Sequence, residues 1–413
     1  MSRFFRFTVR LAPAPAVAMV LSLALLGAGI LEREAAGQPP PPAASAAPGA
    51  GAGLRAPAAL EAPDPALEHA TNLARAGKFK EAVAELETLH KAGKASPRAL
   101  SLLGRLYVQM HRPEEAMAIL HPLIDSSQAE PATLYNAGLA ALMLKRTGVA
   151  QDYFQRSVAL EAASPAAREL GLMLAHQGRV VEAYALLRPW AIRNTDDGEA
   201  LLTAASLAVD LERPQEAEQM LAGMPQNSPA IVLLRGKVLV QKGDGKQAVA
   251  LLTPLLGKHP GGMETEIRRT LAEAYLLNGQ AQQAVSLLSG RVNAHPSLAL
   301  LLARAQHQSG DNAGALATLH PFADKLPDDA KGVPDPRVAG GIAEENGRLL
   351  AETGNAAAGI AFLERATRIE PDRQEVWEAL GKALSAAGRK DEALKAQAHA
   401  AALAQAGVKN GGS

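Results

Sequence analysis

The stretch Trp377–Leu394, WEALGKALSAAGRKDEAL, decides the fold. Its first half carries an apolar stripe at helical spacing and stops at Gly388. Its second half opens on Lys390, Asp391 and Glu392 and reads as the start of another helix. Gly381 stands twelve residues before Ala393, and Gly388 five before it. The same arrangement returns along most of the chain. Counterparts of Ala393 fall at Ala82, Ala116, Ala150, Ala183, Ala217, Ala248, Ala284, Ala315 and Gly359, at intervals of 34, 34, 33, 34, 31, 36, 31, 44 and 34.

Twelve residues before each of these anchors stands a small residue, for example Gly104, Gly138, Gly236 and Gly347. Four residues after them stands a large apolar one in nine of ten cases, with Gln397 the exception. A period near 34 with small residues in register predicts a stack of helix pairs rather than one compact core. The small positions let two helices approach closely, and the large residue is expected to plug between units. Gly77, Gly178, Gly243, Gly279, Gly310, Gly354 and Gly388 all lie five before an anchor, where a helix ends on a left-handed residue. Two units without that glycine carry Pro113 or Pro214 two residues later, suited to the first turn of the next helix. Pro260, Pro296, Pro327 and Pro371, each twelve after an anchor, close one unit before the next begins.

This pattern resembles the tetratricopeptide repeat (TPR) family. The series Trp377, Leu380, Gly381, Leu384, Ala393, Ala400 and the series Leu100, Leu103, Gly104, Tyr107, Ala116, Leu120 carry the resemblance best. It implies an all-α fold, a right-handed superhelical solenoid of about ten antiparallel helix pairs spanning residues 64–405. It also implies a concave groove that binds a protein or peptide segment. The 44-residue interval inserts LPDDAKGVPDPR, residues 326–337, expected as a loop protruding from the solenoid edge. Residues 406–413 are expected to be a flexible tail.

The N-terminus adds a location. Arg3, Arg6 and Arg10 precede the apolar run Ala16–Leu31, and an acidic ERE comes after it. A basic flank before an apolar core is the layout of an export signal, and the charge order places the remainder of the chain across the membrane. Residues 1–36 are therefore read as a signal peptide or N-terminal membrane anchor, leaving a periplasmic or otherwise extracytoplasmic body, soluble after cleavage or anchored. The membrane is contacted through this segment alone. Residues 37–63, rich in Pro, Ala and Gly, bury too little apolar surface to fold and are read as a disordered linker.

Composition narrows the function. Forty-two basic residues balance 42 acidic ones, and aromatics make up 3 % of the chain. Neither a global field nor stacking platforms for nucleic acid result. There is no cysteine, which excludes disulfides, thiolate catalysis and Cys-ligated zinc. No G-x-S-x-G, phosphate loop, H-E-x-x-H or calcium-loop pattern occurs. His121, His259, His295 and His320 fall in His-Pro pairs read as loop punctuation, and His69, His111, His176 and His307 as isolated side chains. Adjacent carboxylates such as Asp196–Asp197, Asp328–Asp329 and Glu344–Glu345 point apart on a helix and are solvated in loops. A non-catalytic protein with neither cofactor nor metal is expected.

The resemblance places the groove on the first helix of each unit, fifteen, eleven and seven residues before the anchor. Residues four apart share one helix face. The candidate partner-binding residues fall into two sets. A basic thread comprises Arg105, Arg168, Lys237, Arg269, Arg304 and Arg348, with Gln109, Gln241 and Gln308 beside it. An apolar patch comprises Tyr135, Leu139, Met143 and Leu172. Leu67 and Thr71 occupy the first unit's inner positions, where the chaperone-tail clamp of some relatives needs Lys and Asn. Six exposed ionic contacts supply about 3 kcal/mol, short of the ~8 kcal/mol of a micromolar complex. Apolar anchors must therefore supply much of the affinity. The expected role is an interaction scaffold in envelope assembly, secretion or surface-polymer export. The rival roles are a structural spacer, a module recruiting a separate enzyme, and a membrane-anchored cytoplasmic regulator.

Overall fold

The computed structural model describes residues 64–125, 129–259, 261–292, 295–331 and 333–410. The expected signal segment, linker and Pro260 lie outside the described residues. Twenty α-helices alternate as first and second members of ten units, with a single 3-10 turn at Thr253–Leu255, and no strand occurs among the described residues. The chain divides after Ala204 into two compact units.

The first unit contains α1 (Pro65–Arg75), α2 (Phe79–Lys91), α3 (Pro97–Gln109), α4 (Pro113–Ile124), α5 (Pro131–Met143), α6 (Thr147–Leu160), α7 (Ala166–His176) and α8 (Val180–Arg193). Helix α9 (Gly198–Asp210) spans the division. The second unit continues with α10 (Pro214–Leu221), α11 (Pro229–Gln241), α12 (Gly245–Leu252), α13 (Gly262–Leu277), α14 (Ala281–Leu288), α15 (Pro296–Gln308), α16 (Asn312–Ala323), α17 (Pro336–Glu352), α18 (Ala356–Ile369), α19 (Gln374–Ala386) and α20 (Lys390–Asn410).

Local chemistry sets these boundaries. Proline opens α1, α3, α4 and α5, where its missing N–H costs no helical bond. Asp64 caps α1 by accepting from the Leu67 N–H at 3.1 Å, and Ser96 caps α3 through Ala99 at 3.2 Å. The residue five before the anchor is left-handed in every unit. Seven are the expected glycines, and the other three are His111, Lys145 and Glu212 at φ of 56–58°. The turn is thus fixed by position rather than by glycine alone, and each non-glycine residue there stores strain of about 1–2 kcal/mol.

The packing corrects one expectation. The large residue four after the anchor fills the small position of its own unit, not a gap between units. A Cβ at Gly104 would lie 2.3 Å from Leu120, and one at Gly138 2.3 Å from Phe154. All of the anchors from Ala82 to Ala315 are fully buried. Within each unit the first helices touch one another: α1, α3 and α5 in the first, and α11, α13, α15, α17 and α19 in the second. Among the described residues no two second helices make comparable contact. Each unit therefore curves with its first-helix layer on the inside.

Three further differences have physical causes. The His121-Pro122 and His320-Pro321 pairs lie inside α4 and α16, not in loops. Burial of Ile124 and Ala323 beyond each proline carries the helix through. The insert at 326–337 is tied down rather than protruding. Leu326 packs on the α15–α17 core, Arg365 reaches Asp328 at 2.9 Å, and Asp335 caps α17 through the Val338 N–H at 3.1 Å. Helix α20 runs to Asn410, past the tail boundary expected at 406, because no proline stops it before Gly411.

Candidate interaction surface

The inner layer of the first unit combines cations with apolar side chains. Arg105 on α3 is exposed and has no ion-pair partner among the described residues. Partial desolvation and then the neighbouring Arg75 of α1 lower its pKa, the sign of a cation without a compensating anion. Ser101 of α3 hydrogen-bonds Thr133 of α5 at 2.8 Å, which sets the inner rows of the two helices side by side. On α5 the ring of Tyr135 packs 6.1 Å from the buried Phe154 ring, tilted by 41°. Leu139 is half-buried and Met143 exposed on the same face. Leu172, expected in this patch, is buried, so the apolar surface consists of Tyr135, Leu139 and Met143.

From α7 onward the basic thread changes character. Arg168 is clamped by Asp197 at 2.6 Å, Glu199 at 2.5 Å and Glu169 at 3.0 Å. Trp190 donates its indole N–H to the same Asp197 at 2.9 Å, so that carboxylate is structural, not merely solvated. Burial works against the Arg168 charge, but the bond to Asp197 and the surrounding carboxylates raise its pKa.

In the second unit Lys237 and Arg269 both hold Glu266, each at 2.8 Å. Burial pushes the Glu266 carboxyl up, and the two cations outweigh it, leaving it at about 2. Burial pushes nearby Asp210 up to about 6, with Lys237 and Arg269 only partly opposing it. Gln241 donates to the Val209 carbonyl at 2.7 Å and is fixed there. Arg348 pairs with Glu344 at 2.6 Å, and Arg373 takes that carboxylate's other oxygen at 2.6 Å. His307 bridges Glu345 at 2.6 Å and Glu352 at 2.8 Å. Its bond to Glu345 is the main reason its pKa rises to about 9. Glu344 and Glu345 thus point apart, as adjacent helical residues do, each to its own cationic partner. Arg304 alone in this unit's thread is loosely held, 3.8 Å from Glu345. Gln109 and Gln308 are exposed.

The structure therefore gathers Arg105, Tyr135, Leu139 and Met143 on one accessible face, and engages Arg168, Lys237, Arg269 and Arg348 in internal ion pairs. The carboxylates that face Arg168, Lys237 and Arg304 escaped the sequence reading because Asp197, Glu266 and Glu345 lie outside the three rows assigned to the groove, whereas Glu344, the partner of Arg348, lies within them. Among the described residues no three His, Cys, Asp or Glu side chains are grouped to hold a metal ion, and no helix is long and apolar enough to cross a membrane.

Ten helix pairs in a 34-residue register, with first helices layered within each of the two compact units, define a helical-repeat protein. The tetratricopeptide repeat model matches residues 73–142 and 239–297, one stretch in each compact unit, and the repeats there are of the TPR type. No curated protein matches the sequence. Among solved structures, a tetratricopeptide repeat protein from Parabacteroides merdae is 14 % identical, over 62 % of this chain and 98 % of that one, with a TM-score of 0.48. The Cut9–Hcn1 structure is 12 % identical, over 82 % and 80 %, with a TM-score of 0.42. MamA is 19 % identical, over 42 % and 97 %, with a TM-score of 0.32.

Proposed function

We propose that this chain is a non-catalytic protein–protein interaction scaffold that acts outside the cytoplasm, and that it binds a partner segment on the inner first-helix face of its first unit. TPR arrays generally serve as scaffolds, which supports a protein partner in general. The observation that carries the finer reading is the unpaired Arg105 beside Arg75, next to the Tyr135, Leu139 and Met143 surface. Two exposed ionic contacts are worth at most about 2 kcal/mol, so the apolar anchor carries the affinity and the cations orient an acidic flank. Met143 adapts to an incoming side chain, while Tyr135, braced on Phe154, is rigid. The location rests on the charge order around residues 16–31.

Affinity capture with the full chain identifies the partner, and binding kinetics then test the face. Tyr135→Ala should raise the dissociation rate about tenfold or more. Parental kinetics for both Tyr135→Ala and Arg105→Ala would remove this face as the site. Location is tested by reporters fused after residues 60 and 405: activity of a cytoplasmic reporter alone would overturn export.

A further inference from the structure

Glu273 on α13 presents a carboxylate oxygen that nothing in the described chain satisfies. Its Oε1 accepts from Arg269 at 3.3 Å, whereas Oε2 is enclosed and has no donor. The residue is only 5 % exposed, and burial raises its pKa. A buried acceptor left empty is costly, more so when ionised. Glu273 lines a pocket of about 420 Å³ between α13, α15, the start of α17 and the turn before α19. Arg304 of α15 lines the same pocket. It makes no hydrogen bond among the described residues, and its one ionic contact is the 3.8 Å approach of Nε to Glu345. The two opposite charges share the pocket without pairing with each other.

The other buried charges around them are already matched. Arg269 is held by Glu266, and Arg373 by Glu344 and Glu370. A bare ammonium placed here would meet four guanidinium groups, those of Arg269, Arg304, Arg337 and Arg373, and a bare carboxylate would meet Glu273, Glu370 and Asp372. The group that fits is neutral, donating at one end and accepting at the other. We infer that this pocket binds an amide group of a partner segment, its N–H donating to Glu273 Oε2 and its carbonyl accepting from Arg304. Leu300, Leu301, Val338 and Ile369 form the apolar wall for the adjoining carbons. The inference rests on the reading that the first-helix layer is the docking face, and gives that layer a second contact of different chemistry.

The test uses the full chain labelled at Ile, Leu and Val methyl groups, with the methyls of Leu300, Val338 and Ile369 as reporters. Propionamide and N-acetylalanine methylamide are titrated against propylammonium and propionate. At least one amide should give saturable shifts at these methyls, with either ion at least fivefold weaker. The stronger amide tells whether a side chain or a peptide bond is taken. Glu273→Gln and the partly exposed Arg304→Met should each weaken amide binding at least fivefold while leaving the remaining methyl spectrum in place. Absence of saturation with both amides, which means that water alone fills the pocket, overturns the inference. So do equal binding of an ion, and a variant that binds as the parent does. If this fails while Tyr135→Ala still releases the partner, only the amide site falls. Amide binding beside an indifferent Tyr135→Ala removes the docking face and leaves the pocket.

Discussion

The first three helix pairs and the stretch from α13 to α19 obey one repeat pattern yet differ in what their inner faces do with charge. In the first, Arg75 and Arg105 stand near each other with no carboxylate to meet them, next to half-buried apolar side chains. In the second, nearly every cation is tied to a carboxylate on its own or a neighbouring helix. The repeat fixes where side chains point, since small residues and left-handed turns hold the register. It does not fix whether a charge pointing inward is free. A face that neutralises itself contributes to its unit's stability, and a face with uncompensated cations is open to an acidic partner.

The largest effect expected from this contrast is in the self-neutralised region. Glu344→Ala strips both Arg348 and Arg373 of their shared carboxylate and should cost about 3–5 kcal/mol, read from urea unfolding. Arg105→Ala, in the open region, should stay within about 0.5 kcal/mol. Equal losses would erase the distinction.

His307 gives the stability of the second unit a pH dependence. Its folded pKa of about 9 lies above the ordinary value of 6.5, so its contribution is fully present below pH 6.5 and is lost as pH rises through 9. The unfolding free energy read from urea titration should fall across that window, by at most about 3 kcal/mol. His307→Gln should flatten the profile, and a parental profile in that variant would show that the two carboxylates do not hold the ring as charged.

Packing gives a third, smaller test. Ala284→Leu on the buried side of α14 should cost about 1–3 kcal/mol by overpacking, while exposed Gln282→Leu should stay within about 0.5 kcal/mol. Smaller still, Lys145→Gly relieves a left-handed backbone at φ 58° and should stabilise the first unit by about 1 kcal/mol. A loss there would mean that the Lys145 side chain matters more than its backbone strain.

The same contrast explains how far the sequence could be read. The period, the small positions and the left-handed turns were legible because each repeats in register, so ten weak signals reinforce one another. His111, Lys145 and Glu212 show that the position outlives its residue type: the turn was predictable there from spacing, not from composition. The inner rows were legible as rows. Their electrostatics were not, because Glu266 and Glu345 sit on helix positions outside those rows and Asp197 in a turn, reaching Arg168, Lys237 and Arg304 across 29–41 residues. Pairing of that kind depends on how neighbouring helices stack, which no single repeat records. Leu172 shows the reverse error, an apolar residue in a groove row that the stacking buries.

The central claim is that the uncompensated cations of the open region orient an acidic partner segment, a role that the paired Arg269, Arg348 and Arg373 of the neutralised region do not have. The direct measurement is association and dissociation of the captured partner at two ionic strengths, for the parent, Tyr135→Ala, Arg105→Ala and Arg348→Ala. Tyr135→Ala should dissociate about tenfold faster at both salts. Arg105→Ala should lose part of the salt dependence of association, and Arg348→Ala should match the parent. Parental behaviour of Tyr135→Ala and Arg105→Ala, with Arg348→Ala the impaired variant, would contradict the account.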